Sequence, residues 1–217
     1  SNPQKATSTD ISWVRKQWTR RGIEITGMQA LLFGTTGLNL FGSPAVRIAM
    51  LTHLDAVCRI GAELGATRLV FGSPKNRDRT GLSDTQAETM AVEFFQRLGD
   101  CANTYGVQFC LEPNPPCYGA NFMTTSADTA VVVRQVAHPA IRMQLDSGAI
   151  TINGEAVGQI IADYAPLIGH IHASEPNLAI LGDGGCNHRV VGCALKVVFP
   201  DSLITIEMLA AKQEPPL

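Results

Sequence analysis

The 217-residue chain has no uninterrupted apolar run of bilayer length, and its opening "SNPQKATST" lacks the charged-then-apolar pattern of a secretory leader. A membrane partner is therefore not expected, and a cytoplasmic location is. The chain also lacks a basic run. Its 17 Lys and Arg against 19 Asp and Glu give a formal net charge of −2, which does not favour nucleic acid or an anionic surface as partner. None of the six cysteines (Cys58, Cys101, Cys110, Cys117, Cys186 and Cys193) stands in a C-x-x-C pair. In a chain of this length they read as reduced, mostly buried thiols and not as a disulfide framework. Neither G-x-G-x-x-G nor G-x-x-x-x-G-K-[ST] follows any apolar run, which removes the simplest nucleotide-binding readings.

What the chain does have is a 45% hydrophobic composition, enough for a sizeable core, and a regular alternation of elements. Near-continuous apolar runs at 25–33, 67–72, 107–113, 141–146, 169–174 and 203–208 suit strands covered on both faces. Helical patterns lie between them. Ser43-Pro44 opens one that runs to Gly65, and Ser83 with Gln86 forms a capping-box pattern for another that ends near Gly106. Thr125 opens a third, and shorter ones are expected over 155–164 and 187–197. A first helix from Asp10 carries Trp13 and Trp18, which read as packing residues, while residues 1–9 are expected to fray. This order predicts one α/β domain over 1–217 with right-handed crossovers, either a doubly wound sheet or a (β/α)8 barrel.

The last four apolar runs end in polar residues: Glu112 in "CLEPN", Asp146 in "QLDSG", His172 in "HIHAS" and Glu207 in "TIEM". Parallel strands place their C-terminal ends along one edge, which in a barrel is the active-site rim. Three carboxylates gathered there repel one another, and a divalent cation resolves the conflict. The oxygen-rich set suits Mn²⁺ or Mg²⁺, and the imidazole admits Co²⁺ or Zn²⁺. In "GHIHASEP" the strand alternation aims His170, His172 and Ser174 at one interior, with His170 one layer deeper as a hydrogen-bonded histidine and not a ligand.

Taken together, "LEPNPPCYGANFMTT", "LDSGA", "GHIHASEPNLA", "SLITIEM" and "LVFGSPKNRDR" resemble the sugar phosphate isomerase/epimerase family, the xylose-isomerase-like group of TIM barrels, from about residue 11 to 209. The resemblance implies one divalent metal (Mn, Mg, Co or Zn) held by Glu112, Asp146, His172 and Glu207. It also implies that Glu112 and Glu207 are catalytic, exchanging a proton with the carbon next to a carbonyl in a sugar or sugar phosphate. Asn114 is placed to bind a substrate hydroxyl, Lys75, Arg77 and Arg79 to dock a phosphate or carboxylate, and Glu175 and His188 to contact substrate or support the ligands.

Two positions depart from the epimerase pattern: Ala149 replaces a histidine three residues after Asp146, and Leu178 replaces an arginine six residues after His172. The superfamily's AP endonucleases hold three zinc ions with several histidines. "FGSPKN" and Ala149 lack those ligands, so a trinuclear site is not expected. Six strand runs against the eight of a closed barrel predict an incomplete wall, with the first two strands and the last helix missing. The exposed sheet edges then invite self-association. Two other readings stand beside the isomerase or epimerase: a catalytically impaired binding or structural remnant of the fold, and a metal-dependent hydrolase or lyase using the same site.

Overall fold

The helices begin where the sequence supplies an acceptor for their first free N–H groups. In this computed structural model, which describes residues 2–209, helix α1 spans Ser8–Thr19 and starts at a reciprocal Thr7–Asp10 capping box. Residues 3–5 form a short 3-10 turn capped by Asn2, and Arg59 Nη2 donates to the Ala6 carbonyl at 2.7 Å. The run at 2–9, expected to fray, carries these local contacts. Two local caps and an arginine from the next helix supply the partners that a polar N-terminal run usually lacks. The two tryptophans of α1 do not pack as expected either, since Trp13 is 63% exposed and Ile11 is the residue of α1 that is buried.

Strand β1 (Gly27–Met28) precedes helix α2 (Pro44–Leu64), strand β2 (Arg68–Phe71) and helix α3 (Asp84–Tyr105). Then come β3 (Gln108–Leu111), α4 (Ser126–Val136), β4 (Ile141–Asp146), the short α5 (Ser147–Ile152), and α6 (Val157–Tyr164). Last are β5 (Ile168–Ser174), α7 (His188–Val198) and β6 (Ile204–Glu207). Ser43, Ser83, Thr125 and Asn187 are the caps of α2, α3, α4 and α7. Helix α2 stops at Gly65, whose φ of 89° turns the chain out of the helix in a conformation that costs glycine little.

All six strands are parallel and lie in sequence order, β1 to β6. Together with the outer helices they form the six-stranded part of a (β/α)8 barrel, a half-barrel wall. Among the described residues β1 and β6 do not pair with each other, yet the sheet curls enough for Gln29, just after β1, to donate to Glu207 Oε1 at 2.9 Å. The apolar run at 25–33 yields only two paired residues. Ala30 takes a φ of 54° and closes a turn to Phe33, so the extended run breaks where β1 has a neighbour on one side only. Strand β6 half-buries one face, with Thr205 and Glu207, while Ile204 and Ile206 point out and Ile206 is 58% exposed.

The main core lies between the sheet and helices α2 to α4. Phe95 is fully buried and meets Phe71 and Phe94 edge to face, with ring centroids 5.3 and 5.6 Å apart. Phe95→Ala should cost about 3–5 kcal/mol in urea unfolding through lost burial and the cavity left behind. Phe33→Ala, at a side chain that is 90% exposed, should shift stability by no more than about 0.5 kcal/mol.

Candidate metal centre

Four strand ends deliver the polar residues to one rim. Glu112 follows β3 directly, with its N–H donating to the Phe71 carbonyl of β2. Asp146 ends β4 and also caps α5, accepting the Ala149 N–H at 2.7 Å. His172 lies in β5 and Glu207 ends β6. One ligand-capable atom from each of the four lies within 4.8 Å of all the others. His172 Nδ1 stands at the centre, 3.2 Å from Glu207, 3.7 Å from Glu112 and 3.9 Å from Asp146.

Each carboxylate is aimed by a neighbour. Asn114 Nδ2 donates to Glu112 Oε2 at 3.0 Å, and the Ser174 hydroxyl lies 2.7 Å from Asp146 Oδ2. Ser174 also accepts the Gly148 N–H and is stitched through its backbone to Ser147. Gln29 holds Glu207. Gly72, after β2, has no room for a side chain, because a Cβ there would overlap the Glu112 carboxylate.

The electrostatics show how much charge is concentrated. Burial first, and then the facing Asp146 and Glu207 carboxylates, push Glu112 up to about 7 from an ordinary 4.5. Burial likewise raises Asp146 against the hydrogen bonds that lower it. For His172 burial acts downward, but the Glu207 hydrogen bond and the three carboxylates outweigh it and hold the imidazole above its ordinary value. His170, one layer below, is taken down to about 4 by burial and by His172, and it bonds the Thr205 hydroxyl as a neutral ring. A compact set of carboxylate oxygens and one imidazole nitrogen, unfavourable when charged and empty, fits a hard or borderline divalent cation.

The remaining candidate residues divide. Asn114 is at the site, though its amide is spent on Glu112 and on Arg77. Arg77 is not on an open loop. It is wholly buried beneath the rim, where it donates to the Glu112 carbonyl and the Asn114 side chain, because residues 74–77 fold under as a 3-10 turn. Arg79 faces away, pairing with Asp84 and Asn121, and Lys75 is exposed.

Glu175 is 1% exposed and turned from the cluster. Its carboxylate accepts from Gly182 N, Cys186 N and His188 Nε2 at 2.7–2.9 Å, so Glu175 and His188 clamp the 182–188 loop together. Cys186 and His188 complete a second ligand-capable trio with Glu175. Those three N–H donors hold Glu175 below its ordinary value against the opposing effect of burial, which is the signature of a satisfied loop clamp. Sequence reasoning missed Gln29 and Gly72. The former sits just past the first apolar run and the latter in "FGSP", positions whose meaning appears only when the sheet curls.

Comparison with known proteins gives the chain a family and a fold. The family profile described as "Xylose isomerase-like TIM barrel" matches residues 3–210. D-psicose 3-epimerase of Agrobacterium fabrum (strain C58 / ATCC 33970) is 28% identical over 116 residues, 54% of this chain and 40% of that protein. The chain thus spans less than half the length of the curated relatives it matches. A crystal structure of D-psicose 3-epimerase in the presence of D-fructose superposes with a TM-score of 0.82 at 21% identity, covering 98% of this chain and 73% of that one. A 3-keto-D-glucoside 4-epimerase from E. coli gives a TM-score of 0.79 at 17% identity, covering 95% and 80%. At these identities the structural matches establish the fold.

Two outcomes follow from the charge cluster. Glu112, Asp146 and His172 have folded-state pKa values above their ordinary ones, so each favours the folded chain at low pH, while His170, taken down to about 4, opposes them over the same range. With EDTA present, the urea midpoint of the wild-type chain minus that of Glu112→Gln should fall as pH rises from about 4.5 to about 7, a difference in which the His170 contribution cancels. Mn²⁺ should reverse that slope by binding the deprotonated ligands. Gly72→Ala should weaken Mn²⁺ binding by about 10–100-fold in calorimetry, because the new methyl displaces the Glu112 carboxylate.

Proposed function

The chain belongs to the xylose isomerase-like TIM-barrel family, and from that premise we propose that it is a metal-dependent sugar isomerase or epimerase. Its substrate is a sugar or a closely related hydroxy-carbonyl compound, and its reaction moves a proton at the carbon beside the carbonyl. The observation that carries this reading is the convergence of Glu112, Asp146, His172 and Glu207 within 4.8 Å at one strand rim. The epimerases among its relatives support the same class of chemistry.

Glu112, Asp146, His172 and Glu207 would hold one divalent ion. That ion supplies Lewis-acid polarisation of the substrate carbonyl and neutralises the negative charge that develops on its oxygen. The protein side of the reaction belongs to the two glutamates. Glu112 follows β3 and Glu207 ends β6, with β4 and β5 between them in the sheet, and both line the open clefts. One takes the proton from the α-carbon and the other returns a proton to the opposite face, which inverts that centre. Asn114 and Arg77 hold Glu112, and Gln29 holds Glu207, so each carboxylate presents a fixed oxygen. Ser174 keeps Asp146 from rotating toward either. The six unpaired cysteines suit a reducing, cytoplasmic setting.

The test is solvent exchange. The Mn²⁺-loaded chain in D₂O should place deuterium at the α-carbon of a ketohexose, read by NMR. Glu112→Gln and Glu207→Gln should each lower that exchange by about 10²–10⁴-fold at metal concentrations shown to saturate the variant, because an amide cannot accept the proton. Undiminished exchange in both variants would refute the two-glutamate reading. Hydrolytic or eliminative products without exchange would favour the hydrolase or lyase.

A further inference from the structure

The segment 175–188 holds a second group of ligand-capable side chains. Asn177 and Leu178 take left-handed φ values of 58° and 53° and turn the chain back after Glu175. The glycine-rich run 182–185 then wraps the carboxylate. A Cβ on Gly184 would lie 2.7 Å from Glu175 Cβ and Oε2, so the approach requires glycine there. The wrap brings Cys186 and His188 to the same carboxylate. One ligand-capable atom from each of the three lies within 4.8 Å of the other two. Cys186 and His188 are half-buried, which leaves an ion a path from solvent.

The hydrogen bonds of the clamp do not exhaust this group. A carboxylate offers about four lone-pair sites. Glu175 Oε1 accepts twice, from Gly182 N and His188 Nε2, and Oε2 accepts once, from Cys186 N. One site on Oε2 remains. The Cys186 thiol makes a long contact of 3.7 Å to the Ser147 carbonyl. Among the described residues, the basic side chain that pairs with Glu175 is His188. With His188 neutral, the buried carboxylate has dipoles around it and no counter-charge, a condition that a cation relieves. A sulfur, an imidazole nitrogen and a carboxylate oxygen form a softer set than the rim cluster, and they suit Zn²⁺ over Mn²⁺ or Mg²⁺. Tetrahedral zinc with bonds of about 2.0–2.3 Å holds its ligand atoms about 3.3–3.8 Å apart. Rotation of the Cys186 and His188 side chains covers the remaining distance.

We propose that Glu175, Cys186 and His188 form a second metal site, selective for Zn²⁺, which takes one ion with water as the fourth ligand and locks the 182–188 loop onto the end of β5. The site is separate from the rim cluster, from which Glu175 is turned away, and it does not depend on the sugar chemistry. On binding, the Cys186 thiol gives its proton to solvent and its sulfur bonds the metal. His188 stays neutral: Nε2 bonds the metal, and the one imidazole proton sits on Nδ1. About one proton per ion is released. The hydrogen-bonded clamp is then the metal-free form of the site, and the proton between Glu175 and His188 marks the place that zinc takes.

Co²⁺ tests this directly, because a thiolate ligand gives a sulfur-to-metal charge-transfer absorption that oxygen and nitrogen ligands do not. The metal-free full chain, titrated with Co²⁺, should develop that band, and stoichiometric Zn²⁺ should displace the ion that carries it. Cys186→Ser should abolish the band. His172→Ala, which removes a ligand of the rim cluster, should leave it. No band in the wild-type chain, or a band that persists in Cys186→Ser, overturns the proposal. A second readout needs no variant. Zn²⁺ should slow iodoacetamide labelling of Cys186 by about tenfold or more, read by mass spectrometry, while the exposed Cys117 and Cys193 label as before. Labelling of Cys186 that zinc leaves unchanged would show a hydrogen-bonded clamp and nothing more. A band with no binding at the rim cluster keeps this site and removes the metal from the proposed reaction.

Discussion

The mutual repulsion of three carboxylates at one edge of a parallel sheet governs the rest of the site. Glu112, Asp146 and Glu207 crowd a single imidazole, and burial adds to the cost of ionising them. Left alone, such a group lowers its free energy by taking up protons or by splaying apart. The chain prevents the second outcome. Asn114, Ser174 and Gln29 each fix one carboxylate, and the bare backbone of Gly72 leaves Glu112 a place to lie. The cluster is thus kept preorganised and electrostatically strained, the condition under which a divalent cation adds stability by binding.

That arrangement depends in turn on the curl of the sheet. Only four residues of β6 pair with β5, yet they carry Glu207 to the centre and leave Ile204 and Ile206 facing out. A flat sheet of six parallel strands would hold β3 and β6 about 14 Å apart, three inter-strand spacings of roughly 4.7 Å. Twist and barrel curvature bring their ends to one point. The Gln29–Glu207 hydrogen bond is the measure of that curl, since it joins the two ends of the sheet across the rim. The geometry of the carboxylate cluster and the curl of the sheet are consequently one problem in this fold.

The convergence of Glu112, Asp146, His172 and Glu207 was legible in the sequence because each lies at or near the end of an apolar run, and parallel topology turns "end of run" into "same edge". His170 was legible for a related reason, since strand alternation places it beneath His172 and burial then keeps it neutral. What the sequence hid depends on loops. "SPKNRDR" reads as a basic loop placed to dock a phosphate or carboxylate, but its 3-10 turn carries Arg77 under the rim, where a guanidinium serves Asn114 and a backbone carbonyl. The run at 25–33 reads as a full strand, and the left-handed Ala30 that ends it has no signature in an apolar stretch. The left-handed Leu178 is equally silent, because nothing in "EPNLA" departs from ordinary loop composition.

"GHIHASEP" gathers these threads. Its even positions, His170, His172 and Ser174, line the barrel interior as a neutral histidine, a ligand-capable histidine and the hydroxyl that aims Asp146. Glu175 breaks the pattern. It is buried as deeply as His172, yet its carboxylate faces outward to the 182–188 loop and is satisfied by two backbone N–H groups and His188. Gly184 packs against it with no room for a Cβ. Serine and glutamate, adjacent in sequence, thereby separate two tasks. Ser174 maintains the charge cluster inside the barrel, and Glu175 anchors the loop outside it. Leu178, three residues on, hydrogen-bonds through its N–H to the Glu175 carbonyl, so the anchor that secures the loop also fixes the backbone at the cleft that Leu178 lines. A fourth carboxylate pointed at the cluster would have deepened the repulsion there. Turned outward, it stabilises the loop and adds no charge to the cluster.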